Sequence, residues 1–240
     1  MKKFFVILGT VLIIALAIPY LVSAELPGSG WWSALAVQNI GADGTMQMTA
    51  YEPDGSGTYS SDIIPFNYGH ALVYDPGKFP NTGNVVGFND GLPPGFEGSA
   101  VIRSESRSAA VSEIANYRNG VVGSTGTASA MYQGISDLMI SDVLRVTTVK
   151  HNYSGQTTTI YVQAASEPAD VTITYNMNDG SEYTQSTNIP QYQMFVFDPA
   201  NASDGGVPSS DCGYDPNASP CFGAAGITST TGKIAASYVE

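Results

Sequence analysis

Five oxygen-bearing side chains, Asp198, Asn201, Asp204, Asp211 and Asp215, fall along one stretch rich in Gly, Pro, Ser and Asn. Hard oxygen ligands at that density suit calcium, so these residues form a candidate structural calcium site. The D-x-[DN]-x-[DN]-G order of a calcium loop is missing, and Asp and Asn also favour turns because they bond their own backbone. Cys212 and Cys221, the only cysteines, close the same stretch. In an exported chain such a pair is expected to form one disulfide stapling the loop. Trp31 and Trp32 offer flat stacking surfaces of the kind that hold sugar rings, and are the candidate ligand-binding residues.

Catalysis finds less support. His70 and His151 have neither an H-E-x-x-H frame nor a spacing to the cysteines that would ligate a metal, and no G-x-S-x-G elbow occurs. Glu97, Glu105 and Glu113 could supply a glycosidase carboxylate pair, but such pairs are defined by separation in space. Solvated acids at strand ends are the commoner reading in an acidic chain. The expectation is a non-catalytic protein that needs no cofactor, structural calcium aside.

The first 24 residues carry an export pattern. Lys2 and Lys3 precede an apolar run over 4–18, and Val22-Ser23-Ala24 offers a small-residue cleavage site before Glu25. An uncleaved anchor is the rival and the only route by which the chain would meet a membrane, since the apolar stretch approaches spanning length. Lipid attachment at the leader is excluded, because no cysteine occurs before Cys212. Loss of the two lysines takes the formal charge from −12 to −14. Phosphate neutralisation needs clustered Lys and Arg, so nucleic acid is excluded as a partner.

Behind the leader the chain repeats itself. Val37-Gln38 recurs as Val162-Gln163, Asp54-Gly55-Ser56 as Asp179-Gly180-Ser181, and Ile64-Pro65 as Ile189-Pro190, each at an offset of 125 positions. A constant offset through three landmarks marks a duplicated physical unit. Within it Met46, Met48 and Ala50 alternate with polar residues, as do Val171, Ile173 and Tyr175, which is the period of half-buried strands. After a two-residue deletion, Leu72-Val73-Tyr74-Asp75-Pro76 matches Phe195-Val196-Phe197-Asp198-Pro199. Gly98-Ser99-Ala100-Val101-Ile102 matches Gly223-Ala224-Ala225-Gly226-Ile227, and the small residues imply tight strand packing. Residues 104–116 could be drawn as a helix, but their match to 232–237 favours a strand.

Short strands with turns every few residues predict an all-β chain: a signal peptide over 1–24, then two tandem immunoglobulin-like β-sandwich modules over 25–125 and 126–240. Residues 119–129 read as a linker or long turn, and 131–152 could open module two or complete the sheet of module one. Glu240 falls where the first copy runs on through Ala115-Asn116-Tyr117, so the expectation is a fragment of a longer array.

Trp31-Trp32-Ser33 leading to Ala36-Val37-Gln38-Asn39-Ile40-Gly41, then Asp54-Gly55 and Pro94-Gly95-Phe96-Glu97-Gly98, resembles tandem β-sandwich repeats of secreted bacterial surface proteins. Lys150-His151-Asn152-Tyr153-Ser154-Gly155 looks like the lead of those repeats before copy two. Copy two departs from the pattern where Ala164 replaces the asparagine and Cys221 the glycine before phenylalanine. The resemblance implies an extracellular module and brings no catalytic residues.

The resulting expectation is a secreted or cell-surface structural or adhesive repeat protein whose partners are extracellular proteins or glycans. A carbohydrate-binding module using Trp31 and Trp32 is the alternative. A second alternative is a self-associating filament subunit, because copy one has no counterpart of the strand-like segment 144–150 and its sheet edge is open to strand exchange.

Overall fold

A computed structural model describes residues 11–17, 31–74, 83–93, 96–116, 128–136, 139–153, 155–208 and 221–239, with backbone alone for 11–17, 31–32, 97, 113–116 and 128–132. It is built of strands, with no α-helix among the described residues. The chain divides into two units, the first holding most residues up to Leu138 and the second Met139–Glu240.

The first unit contains β1 (Val11–Ala17), β2 (Trp31–Asn39), β3 (Gly44–Tyr51), β4 (Thr58–Ser60), β5 (Ile64–Phe66), β6 (Ala71–Tyr74), β7 (Val85–Val86), β8 (Glu97–Ser104), β9 (Ser108–Asn116), β10 (Ala128–Gln133) and β11 (Ile135–Ser136). One sheet runs β11-β1-β8-β3-β4, with β5 also on β3, and the other runs β10-β9-β2-β6-β7. Leu35 and Val37 of the second sheet share one buried cluster with Met46, Met48, Ala50, Ala100 and Ile102 of the first. Two sheets closing on one apolar core make this unit a β-sandwich.

The second unit repeats the plan with β12 (Val143–Lys150), β13 (Thr159–Ala164), β14 (Ala169–Met177), β15 (Glu182–Ile189), β16 (Met194–Phe197), β17 (Phe222–Ser229) and β18 (Ile234–Val239). Its sheets run β12-β17-β14-β15 and β16-β13-β18, and Val162, Ile173, Tyr175, Phe197 and Ile227 lie in its core. The segment 131–152 is thereby divided. Residues up to Ser136 pair with β9 and β1, whereas Val143–Lys150 pairs with β17. The division falls near 139, later than the Gly/Ser/Thr-rich stretch that ends the first copy in sequence.

The repeat is a repeat of registers. Met48 faces Ile102 and, 125 positions on, Ile173 faces Ile227. The two-residue deletion is absorbed without turning a face outward, since Leu35 pairs with Tyr74 and Ile160 with Phe197. The turn before β18 is one residue longer than that before β9, so Val37 meets Ala110 but Val162 meets Ala236. Both alanines pack on their cores, as a period-two structure requires of any register change. Residues 104–116 hold a strand, β9, with no helix.

Two glycines explain the close packing of the central pair in each unit. A Cβ on Gly98 would meet the carbonyl oxygen of Tyr51, and one on Gly223 that of Asn176, the same position one repeat later. Backbone cannot yield as a flexible side chain can, so only glycine admits the approach. Gly98→Ala and Gly223→Ala should each lower stability by about 1–3 kcal/mol, as overpacking a tight site does. The urea midpoint checks this, and an unchanged midpoint in both variants would contradict the close approach.

Candidate functional site

Among the polar residues singled out in the sequence, the side chains of Asp198 and Glu105 bond neighbouring backbone, those of Asn201, Asp204 and His70 are exposed, and Nδ1 of His151 is buried without a hydrogen-bond partner among the described residues. Asp198 directly follows β16 and is buried, and its carboxylate accepts from the Ala200 amide at 2.8 Å, capping the 3-10 turn Pro199–Asn201. That turn leads into a second, Ser203–Gly205, in which Asp204 takes a left-handed φ of 58°. Ala202 and Val207 anchor the run in the core of the second unit, while Asn201 and Asp204 point to solvent. Gly206 completes the bend at a φ of 83°, where a Cβ would meet the Ala200 carbonyl. Among the described residues no three His, Cys, Asp or Glu side chains converge on a point that could hold a metal ion. Asp211 and Asp215 lie outside the described residues, as does Cys212. Cys221 is wholly buried, and no cysteine among the described residues is free.

Trp31 and Trp32 open β2, paired through the backbone with Asn116 and Ala115 of β9. They stand beyond the stretch Leu35 to Gln38 that pairs with β6, at one end of a central strand. Their side chains lie outside the described residues.

His70 is exposed in the turn before β6, and its carbonyl accepts from Asn39. His151 is buried directly after β12, its amide donating to the Cys221 carbonyl at 2.8 Å. The lead segment that contains it is a turn: Asn152 and Gly155 take positive φ, Tyr153 bridges to Gln156, and its ring packs edge-on against Phe222 at 5.4 Å. Of the three glutamates, Glu105 accepts from the Thr45 amide at 2.9 Å, binding the β8–β9 turn to β3. Glu97 starts β8 and Glu113 lies within β9, with side chains outside the described residues.

The polar residue with most consequence was not among the candidates. Asn39, at the end of β2, is fully buried, and its amide serves four partners. Nδ2 donates to the Ala42 and Phe66 carbonyls, while Oδ1 accepts from the Gly41 amide at 2.8 Å and the Ser106 hydroxyl at 3.0 Å. One side chain thereby ties the end of β2 to β5 and to the β8–β9 turn. In the second unit Ala164 holds the place, and Gln163 instead donates to the Tyr192 carbonyl at 2.8 Å, with Tyr192 itself at a φ of 65°. The sequence signal was present in the Val-Gln-Asn-Ile-Gly string, where an asparagine two residues before a glycine can close an Asx-type turn.

Tyr175 is the one core position where the second copy puts a large polar side chain in place of Ala50. Its hydroxyl is buried with no hydrogen-bond partner among the described residues. Burial first, and the negative charge of Asp198 second, push its pKa well above the ordinary phenol range. On the surface, the Lys233 ammonium lies 3.2 Å from Asp142 and, with a backbone bond, holds that carboxyl below its usual range.

No family model matches the chain, and no curated protein does. Among solved structures it is similar to a chain described as a "putative secreted protein" from Parabacteroides distasonis, at 10% identity and a TM-score of 0.21 over 95% of this chain and 76% of that one. A likeness that slight carries neither fold nor role across. No helix among the described residues is long and apolar enough to cross a membrane.

Asn39→Ala should cost about 1–3 kcal/mol by leaving buried donors and acceptors unmatched. Thermal melts check it, and a loss within error would show that water replaces the amide. Tyr175 has the opposite sign. A phenol whose folded pKa exceeds its unfolded value of about 10 gives stability that is complete below that pH and is lost as pH rises towards the folded value. Tyr175→Phe should therefore match or exceed the parent at pH 7 and lose less stability above about pH 10. Urea melts at the two pH values compare them, and parallel losses would contradict the assignment.

Proposed function

We propose that this chain is an exported, non-catalytic structural or adhesive protein, cleaved after Ala24 and displayed as two tandem immunoglobulin-like modules at or beyond the cell surface. The observation that carries the reading is where the repeated residues go. Gly98 and Gly223 admit neighbouring backbone, Met48 and Ile173 fill cores, and Asp198, which matches Asp75 in sequence, caps a turn. The duplicated positions thus specify a shape, and a stack of such shapes acts by geometry, holding a contact surface at a distance from its anchor.

In this reading, contact is made by the parts in which the copies differ, the Trp31-Trp32 end of β2 and the loop closed by Cys212 and Cys221. The cysteines form one disulfide that holds the loop in an oxidising compartment. The acidic surface keeps the exported chain soluble.

Fractionation of producing cells with intact-mass analysis tests the proposal. The expected result is protein in the medium or accessible to protease on whole cells, beginning at Glu25 and two mass units lighter than the dithiol. Retention in the cytoplasm would overturn it. A glycan array run with the parent and with the Trp31→Ala/Trp32→Ala pair addresses specificity. No binding by either is expected of a structural module, whereas binding abolished by the double substitution would make it a carbohydrate-binding module.

A further inference from the structure

Strand β1 occupies in the first unit the place that β12 occupies in the second. Val11, Leu12, Ile13 and Ile14 face Arg103, Ile102, Val101 and Ala100 of β8. Val143, Leu144, Arg145 and Val146 face Thr228, Ile227, Gly226 and Ala225 of β17, the same four positions one repeat later, also antiparallel. Both are lead strands completing a sheet edge, and in the first unit β1 also carries β11, through Leu12↔Ser136 and Ile13↔Ile135.

The two lead strands come from different sources. At the offset of 125 positions, β12 falls on residues 18–25, which are the end of the leader and its cleavage site. The strand that fills the place is drawn from 11–17, the apolar core of the leader. Cleavage after Ala24 would remove both stretches and leave residues 25–30 ahead of Trp31. That remnant is shorter than the segment 151–158 that merely connects β12 to β13 in the second unit. It cannot connect and also pair along β8. A second copy donating its β12 would only open its own β17 edge.

We propose that the first unit of the exported chain is a strand acceptor, its place beside β8 filled by a β12-like strand that another polypeptide carries without a sheet edge of its own to complete. The incoming strand runs antiparallel to β8 in the β12 register. Recognition is by backbone hydrogen bonds along the edge and by small and branched apolar residues beneath it. Ala100 and Ile102 present the same residues to such a strand that Ala225 and Ile227 present to β12, and all four are buried against a core. An edge left empty would expose a row of unpaired amides and carbonyls, so a chain exported in this form is open to pairing until a partner arrives. The inference rests on the export reading above and deepens it by naming the partner.

The test uses the chain as exported, with its N-terminus fixed by intact mass, and a synthetic peptide of the β12 sequence, Val143–Lys150, as the donor. Amide hydrogen exchange is followed on β8 and, as an internal control, on β17. The expected result is fast exchange at β8 amides not bonded to β3, slow exchange throughout β17, and about a hundredfold slowing at β8 when the peptide is present at about 100 times its Kd. The same peptide carrying Val146→Pro, which removes a ladder donor, should not protect β8. Slow exchange at β8 in the monomeric exported chain alone would overturn the proposal, and so would failure of the peptide to protect an unprotected β8. A mass showing that residues 11–17 are retained would overturn filling by a partner and the cleavage reading together. A start at Glu25 with β8 closed would overturn the acceptor alone.

Discussion

The close pairing of β3 with β8, and of β14 with β17, is the constraint on which the rest of each unit depends. These strands stand at the centre of the sheet that carries Met48, Ile102, Ile173 and Ile227 into the cores. Their separation is set where a glycine faces a backbone carbonyl, at Gly98 and again at Gly223. A side chain there would push the strands apart, and a shifted strand would displace every residue that alternates with it. The hairpins to β4, β5 and β15 on one side, and the lead strands β1 and β12 on the other, attach to this pair.

Much of that was legible in the sequence, because register leaves a periodic trace. The 125-position offset, the alternation along Met46 to Ala50 and Val171 to Tyr175, and the small residues after Gly98 and Gly223 all reported the sheet that holds the core. The division between units was less legible, since residues 128–136 carry no repeat partner against which to be read. Their pairing with β9 and β1 is a tertiary choice. The one-residue insertion before β18 was also hidden, because the string Ile234-Ala235-Ala236 can be aligned to the first copy in two ways. Asn39 was visible only as a letter of the motif; its four bonds join segments distant in sequence, which spacing cannot reveal.

Where the copies differ, each solves the same local problem by another route. Asn39 ties one strand end through its side chain, while Ala164 leaves that work to Gln163 and a left-handed Tyr192. Ala50 becomes Tyr175, which puts an unpartnered hydroxyl into the second core near Asp198. The β15 edge is continuous, whereas its counterpart is broken into β4 and β5 around Ser61, whose hydroxyl accepts from the Met48 amide at 3.0 Å and so keeps the ladder satisfied. Such substitutions are tolerated because a buried polar group needs a partner of the right kind but not one particular residue.

The central claim is that one strand-pairing plan was used twice, with its tightest contact at the same place in each copy. Residue-resolved amide exchange on the full 240-residue chain tests it most directly. The account predicts that the slowest amides lie on β3 and β8 and on β14 and β17, in two sets related by 125 positions. Slow amides confined to one unit, or two sets that do not share that spacing, would contradict it.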